Sequence, residues 1–358
     1  MREDAPIRKR RVHYTGTHPR SFNEKYKELQ ADQYAEDIKK VMERGQTPAG
    51  THRPICVSEI LSILAPGPGM IGLDATLGFG GHAQELLQRI SPKGILFGID
   101  VDPIELPRTE ARLRARGFSE DVLIIRRMNF AGLPKLFAET QGGFDFVLAD
   151  LGVSSMQIDN PARGFTFKAE GPLDLRFNPN RGQPASRLIQ SLEAEALAEM
   201  LTDNADEPFA KEIAHALRAN RQKIGTTTQL AAIVRQTLQR KHVPAEEIKQ
   251  SLQRTFQALR IAVNDEFGVL EQFLQFLPEC LKPGGRVAIL TFHSGEDRRV
   301  KQSFLNGYRA RMYEQIARDP IRPSAQERHS NPRASCAKLR WAVKTAPCAA
   351  SPAPVGFQ

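Results

Sequence analysis

Nothing in this 358-residue chain approaches the roughly 18 consecutive apolar residues of a membrane-spanning helix, so no membrane partner is expected. The opening MREDAPIRKRRVHYTG is charged but has no apolar stretch, so it is not a secretory signal. Glu3, Asp4, Glu24 and Glu28 are foreign to an organelle transit peptide, which leaves a cytoplasmic location. Cysteine is scarce. Cys56, Cys280, Cys336 and Cys348 form no CxxC pair and no metal-type spacing with the eight histidines, which predicts reduced thiols and no bound metal. Internal repeats are absent as well. With 41% hydrophobic and 25% charged residues, wholesale disorder is excluded. At about 150 residues per domain the length predicts about two domains.

The charge is abundant and unevenly placed. The net +9 is concentrated at the two ends: Arg298 to Lys344 holds twelve Lys/Arg against three Asp/Glu, and residues 1–20 hold six against two. Basic ends on a near-neutral middle suit a polyanion such as nucleic acid, although a solvated basic surface reads the same way.

Residues 1–50 are polar and read as a basic extension, with one exposed helix over Asp32–Arg44. A strand–helix alternation follows. Met70–Leu77, Gly94–Asp102, Val122–Arg126 and Phe144–Leu151 are short apolar strands. His82–Ile90 has helical spacing, and Pro103 suits the first position of the next helix. Such alternation predicts a parallel, doubly wound α/β sheet. The rhythm then breaks into amphipathic helices at Ala185–Leu201, Pro208–Asn220 and Thr227–Lys241. It resumes with a helix over Asp265–Cys280, a Lys-Pro-Gly-Gly turn and strands at Arg286–Phe292 and Lys338–Lys344. The expected division is a core in two parts, 51–153 and 256–345. A helical domain inserted at 154–255 separates them, and a disordered tail covers 346–358.

Four segments carry candidate chemistry. Gly78-Phe-Gly80-Gly81-His82-Ala83 joins a strand to a helix, where glycines let a ligand approach backbone N–H groups. Asp100 or Asp102, at the end of the second strand, can accept hydrogen bonds from ribose hydroxyls. The same glycines satisfy the GxGxx(G/A) dinucleotide pattern, so an NAD-dependent oxidoreductase stays open here, as does a tight turn without a ligand. Asp150 ends the fourth strand, across the switch point from the glycines. Arg163, Phe165, Phe167, Asp174 and Arg176 lie in loops that can stack a base and grip phosphate. Phe256, Leu259, Ile261 and Val263 are core residues on a helix that also carries Arg260 and Asn264. His293 directly follows the fifth strand, with Arg298 close behind.

With these segments quoted, the chain resembles the bacterial small-subunit (16S) ribosomal RNA cytosine-N4 methyltransferases. The resemblance runs from about Thr51 to Thr345 through HRPICVSEIL, DATLGFGGH, IDVDP, DLGVSSMQID, RGFTF, GPLDLR, RTFQALRIAVNDE, LKPGGRVAILTFHS and EDRRVK. It implies a class I methyltransferase fold, Rossmann-like, with an inserted all-helical domain. It also implies S-adenosyl-L-methionine held by Gly80, Gly81, His82, Asp100, Phe130, Asp150 and Gln157. The implied substrate is a cytidine of small-subunit ribosomal RNA in the decoding region, within an assembled subunit; a homodimer is possible. Two motifs depart from the family: its Phe-His-Ser-Leu-Glu-Asp has Gly295 for leucine, which predicts a looser helix start, and its Gly-Glu-Glu reads Ala205-Asp-Glu. Amino-methyltransferases often carry Asp/Asn-Pro-Pro-aromatic after strand four. Here Asp150-Leu-Gly-Val153 leaves Asp150 and the Leu151 carbonyl to orient the amine. A non-catalytic RNA-binding assembly factor on the same fold is the other reading. Cofactor choice separates the readings: S-adenosylhomocysteine is expected to raise the melting temperature and NAD to leave it unchanged, and the reverse result would favour the oxidoreductase.

Overall fold

The computed structural model describes residues 54–140 and 142–346. The basic extension, its expected Asp32–Arg44 helix and the tail beyond residue 346 lie outside the described residues.

The first half alternates as expected: α1 (Val57–Leu64), β1 (Ile71–Asp74), α2 (Gly81–Ile90), β2 (Ile95–Asp100), α3 (Glu105–Ala115), β3 (Leu123–Arg127), the short α4 (Leu133–Phe137) and β4 (Phe144–Asp150). Helices follow without a strand: α5 (Ser155–Asp159), α6 (Ala185–Ser191), α7 (Ala194–Ala205), α8 (Ala210–Ala219), α9 (Thr227–Arg240), α10 (Ala245–Asn264) and α11 (Glu266–Cys280). The chain closes with β5 (Leu281–Thr291), α12 (Ser294–Arg309), β6 (Tyr313–Ile316), α13 (Ala325–Ser330) and β7 (Lys338–Lys344). The strands form one sheet in the order β3-β2-β1-β4-β5-β7-β6. β1 to β5 pair in parallel, and β7 runs antiparallel between β5 and β6. That order, with its single reversed strand, is the class I methyltransferase arrangement.

Strict alternation along β4 gives the sheet two apolar faces. Val147 and Ala149 face α11 and α12, packing with Phe273, Leu277 and Phe304. Phe146 and Leu148 face the other way, with Ile60, Leu64, Leu87 and Leu113 from α1, α2 and α3. Gly72 of β1 lies so close to the Phe146 ring that a Cβ there would sit 2.0 Å from it, which ties this position to glycine.

A second, separate apolar core is built from α6 to α10 and from Phe165, Leu173 and Leu175. The expected helix Ala185–Leu201 is two helices, broken where Leu192 takes extended backbone with ψ 146°. The break lets Ile189 and Leu197 both reach this core. Helix α10 runs without a break across the expected boundary at residue 255, placing Phe256 and Leu259 in the second core. Strand β6 was not expected, since only four residues form it and Glu314 and Gln315 are exposed.

The two cores are joined through Asp102. Pro103 does not open α3, because Asp102 Oδ1 accepts the N–H groups of Ile104 (2.8 Å) and Glu105 (3.3 Å) and the helix begins at Glu105. Asp102 Oδ2 accepts from Arg163 Nη1 and Gln157 Nε2, both at 2.7 Å. Arg163 Nη2 continues to the carbonyls of Arg176 (3.3 Å) and Phe177 (2.9 Å). Both charged side chains are buried, at 1% exposure for Asp102 and 7% for Arg163. Removing one member of such a pair strands the other charge in a low dielectric. Asp102→Ala is therefore expected to lower unfolding free energy by about 3–5 kcal/mol, read from the denaturant midpoint. A loss within about 0.5 kcal/mol, typical of a surface site, would show that the link is not structural.

Candidate active site

The carboxyl ends of β1, β2 and β4 each finish in an aspartate, and the three surround the glycine turn. Gly78 and Gly80 have φ of 48° and 82°, a backbone region that favours glycine. Asp100 fastens the turn: Oδ2 accepts the Gly78 N–H at 2.8 Å and Oδ1 the Asp102 N–H at 2.9 Å. Of the two candidate ribose partners, Asp102 is spent on Arg163 and Gln157, whereas Asp100 has no side-chain partner among the described residues. Burial raises the Asp100 pKa, against the opposing pull of those N–H groups.

Asp74, at the end of β1, is 2% exposed and accepts the Thr76 N–H at 3.1 Å. Burial pushes its carboxyl up to about 7. Thr76 Oγ1 accepts the Asp150 N–H at 2.6 Å, linking the ends of β1 and β4. The Asp150 carboxyl is likewise pushed up to about 7, first by burial and then by the nearby Glu296. Its Oδ2 lies 3.5 Å from His82 Nδ1. His82 Nε2 sits 2.9 Å from the Ile55 carbonyl, which can only accept, so Nε2 carries the hydrogen and Nδ1 presents its lone pair to Asp150. Burial lowers the His82 pKa and favours this neutral form.

Phe130 follows β3 in a 3₁₀ turn, half-buried and edge-on to Phe273 at 5.2 Å. Gln157 is held at both ends of its amide: Oε1 accepts the Ser154 N–H at 2.9 Å in the capping box of α5, and Nε2 donates to Asp102.

The expected RNA-side residues divide sharply. Arg163, read from the sequence as a phosphate ligand, is buried in its pair with Asp102 and is not available to one. Phe165 and Phe167, read as stacking rings, are packing residues of the second core. Phe165 stacks on Phe177 at 6.0 Å, and Phe167 tilts against Phe256 at 5.4 Å. Their Phe-x-Phe spacing gives no means of telling a base platform from a core contact. Arg176 is clamped by Asp174 through Nε–Oδ1 (2.7 Å) and Nη2–Oδ2 (2.6 Å), which raises its pKa. Asn264 fixes the same loop by accepting the Phe177 N–H and donating to the Leu175 carbonyl, each at 2.8 Å. Arg298 remains exposed, paired with Asp206 at 3.1 Å.

A charged cluster lies behind Asp150. Arg260 donates to both oxygens of Glu266, at 2.7 and 2.9 Å. His293 caps α12, its Nδ1 accepting the Glu296 N–H at 3.4 Å. The expected loosening at Gly295 is not seen: α12 begins at Ser294, and a Cβ on Gly295 would sit 2.6 Å from the Phe267 ring. Phe267 in turn packs on His293 at 5.9 Å and under the Arg299 guanidinium at 3.5 Å. Glu296 is 3% exposed and accepts the Phe292 N–H at 2.8 Å. Burial pushes its pKa up, but His293, Arg260 and that N–H outweigh it and hold Glu296 below the usual range. Glu266, His293 and Glu296 bring ligand atoms within 4.8 Å of one another. Arg260 occupies both oxygens of Glu266, so the cluster reads as a charge network and not as a metal centre. His293 Nε2, 3.2 Å from Glu296 Oε1 but misaligned, has no hydrogen-bond partner among the described residues.

Asp74, Thr76 and Glu296 lie within the quoted segments, but the sequence reading assigned none of them a role. Asp74 had a usable signal, because it ends an apolar strand before the glycines just as Asp100 ends the next one. Glu296 had none, since a glutamate in a helical first turn is ordinary.

The chain matches the MraW methylase family over residues 49–345. It is similar to Ribosomal RNA small subunit methyltransferase H 2 of Alkaliphilus metalliredigens, at 55% identity over 344 residues, covering 94% of this chain and 98% of the relative. It is 51% identical to Ribosomal RNA small subunit methyltransferase H 1 of Lachnoclostridium phytofermentans, covering 95% and 94%. Ribosomal RNA small subunit methyltransferase H of Thermomicrobium roseum is 41% identical, covering 83% and 94%.

A carboxyl whose pKa rises on folding leaves the folded state holding more protons than the unfolded chain. Stability therefore falls as pH rises from about 4 to about 7. Asp150→Asn removes the share of that dependence due to Asp150 and leaves the share due to Asp74. The variant is expected to match the parent near pH 4 and to be more stable at pH 8. The gain is bounded at about 4 kcal/mol, from roughly three units at 1.36 kcal/mol each. No gain at pH 8 in paired melting curves would mean that Asp150 is not held in an unfavourable charged state.

Proposed function

The chain belongs to the MraW methylase family, and from that membership we propose that it moves a methyl group from S-adenosyl-L-methionine to the exocyclic N4 of a cytidine in small-subunit ribosomal RNA. We place the cytidine in the decoding region of an assembled subunit. The dinucleotide reading of the glycine turn gives way to the family. The names of the relatives support the RNA substrate, and one observation carries the chemistry: Asp74, Asp100 and Asp150 converge on the glycine turn.

Those carboxylates fit the cofactor. None has a Lys or Arg salt bridge among the described residues, and burial raises the pKa of each. A sulfonium cation would relieve that cost. Gly80, Gly81 and His82 at the N-terminus of α2 would hold the cofactor's amino-acid end, Asp100 would accept hydrogen bonds from its ribose hydroxyls, and Phe130 would pack beside its adenine. Gln157 supports the site from α5 through Asp102.

When bound, the cofactor supplies an electrophilic methyl group on sulfur. Asp150 and the Leu151 carbonyl orient the amine by accepting its N–H bonds, which strengthen as positive charge grows on nitrogen. The ionised Asp150 is the competent form. The proton released after transfer goes to its carboxylate, beside the His82 Nδ1 lone pair. Arg260 and His293 act from behind Asp150, holding Glu266 and Glu296 in place beside the crevice. The Asp174–Arg176 clamp and Asn264 shape the adjoining loop, and Arg298 meets phosphate at the margin. Flipping the cytidine from its stack costs a few kcal/mol, offset by these contacts.

The test is methyl transfer to small subunits lacking the modification, read by nucleoside mass spectrometry. N4-methylcytidine should appear with the parent, and Asp100→Ala should abolish both transfer and the S-adenosylhomocysteine melting shift. Asp150→Asn should lower kcat by about 10²–10³-fold. Parent activity should rise with pH, pass its half-maximum near 7 as Asp150 ionises, and level off above about pH 8. Cofactor binding without any methylated cytidine would favour the assembly-factor reading instead.

A further inference from the structure

Helix α12 leaves the rim of the crevice at His293 and ends in a turn that no step of the proposed reaction uses. Arg298 and Arg299, at its start, are paired with Asp206 and Glu271. Farther along, the side chains of Lys301, Arg309 and Arg311 are exposed, with no ion pair or hydrogen bond among the described residues. At 100° per residue, Arg298, Lys301, Gln302 and Arg309 share one side of α12, opposite the buried Val300, Phe304 and Gly307.

Two large apolar side chains are exposed in the same place. Tyr308 is 47% exposed and Met312 41%, two of only four such residues among those described. The turn holds them outward. The Arg311 N–H donates to the Tyr308 carbonyl at 3.0 Å, and the Met312 N–H to the Gly307 carbonyl at 2.8 Å. Arg311 has φ +58°, a conformation that favours glycine, yet an arginine stands there. Tyr313 packs against Gly307 so closely that a Cβ would sit 2.5 Å from its ring, which fills the space beneath the helix and leaves Tyr308 outside.

We propose that this turn, with Lys301 and Arg309 along α12, is a second RNA contact separate from the pocket of the methylated cytidine. Tyr308 offers a stacking face to an unpaired base, while Arg309 and Arg311 take the flanking phosphates. The turn lies 15 residues beyond His293, about 22 Å at 1.5 Å per residue. The inference rests on the RNA methyltransferase reading and deepens it: the substrate is an RNA long or folded enough to touch both ends of α12. A protein strand added to the open edge of β6 is the competing occupant. That edge is only four residues long, and clustered unpaired cations suit phosphate better than a peptide backbone.

The test compares two substrates, small-subunit ribosomal RNA and a trinucleotide centred on the target cytidine, which is too short to span the two sites. Arg309→Ala/Arg311→Ala is expected to weaken binding of the long RNA about tenfold at 0.15 M salt. It should also flatten the slope of log affinity against log salt by about 1.4 to 1.8, at 0.7–0.9 per lost phosphate contact. Tyr308→Ala should weaken the long RNA by about fivefold or more with the slope unchanged. Binding of the trinucleotide, kcat at saturating long RNA and melting temperature should stay at parent values in every variant. Lys93→Ala/Arg116→Ala, on the far side of the sheet, should change nothing. An unchanged slope, an equal loss on the trinucleotide or an equal loss in the far-side variant would overturn the second contact. A parent that neither binds nor methylates RNA would instead overturn the functional reading beneath it.

Discussion

The buried Asp102–Arg163 pair is the constraint on which the rest of the structure depends. Asp102 satisfies the free N–H groups at the start of α3 with one oxygen and holds the helical segment with the other. Arg163 passes the restraint on to the carbonyls of Arg176 and Phe177, and Asn264 grips the same loop from α10. Two apolar cores that share no cluster are thereby held in one register across the carboxyl ends of the strands. Apolar packing could supply comparable energy but not comparable direction, because a buried ion pair whose other oxygen and N–H group are also hydrogen-bonded tolerates little displacement.

That register allows several carboxylates to stand close together. Asp74, Asp100 and Asp150 end three neighbouring strands of a parallel sheet, where ligands of open α/β folds enter. Like charges at such spacing cost energy, and the chain meets the cost in two ways. Asp74 and Asp150 have pKa values pushed up to about 7 by burial, so each gains a proton readily. Glu296, equally buried, is held ionised by His293 and Arg260. The crevice is therefore primed for a cation on the side of the glycine turn and compensated on the side of α12. This asymmetry accords with the proposed reaction, which would bring a cationic cofactor and a neutral base to the same crevice.

Much of the fold was legible in the residues because its signals are local. Short apolar strands separated by helical spacing announce a parallel sheet, and the glycine turn with an acid 22 residues on marks the crevice. Helix ends were less accessible. Leu192 breaks one predicted helix although no proline or glycine stands there, and Pro103 fails to begin another because Asp102 takes over the N–H groups that follow. Strand β6 alternates too briefly to register, and only its pairing with β7 makes it a strand.

By itself the sequence determined the architecture and the position of the crevice, since both rest on residue types at fixed spacing: Gly80-Gly81-His82, Asp100 and Asp150. The tertiary structure decided which charged and aromatic residues remain free to act. Arg163 looks functional in the sequence and is taken up by its ion pair, and Phe165 and Phe167 pack against the second core, Phe167 only partly buried, while Arg309 and Tyr308 look ordinary and stand exposed. The physical reason is that availability depends on partners brought from distant parts of the chain. Asp102 is 61 residues from the arginine it neutralises, and no local pattern records that meeting.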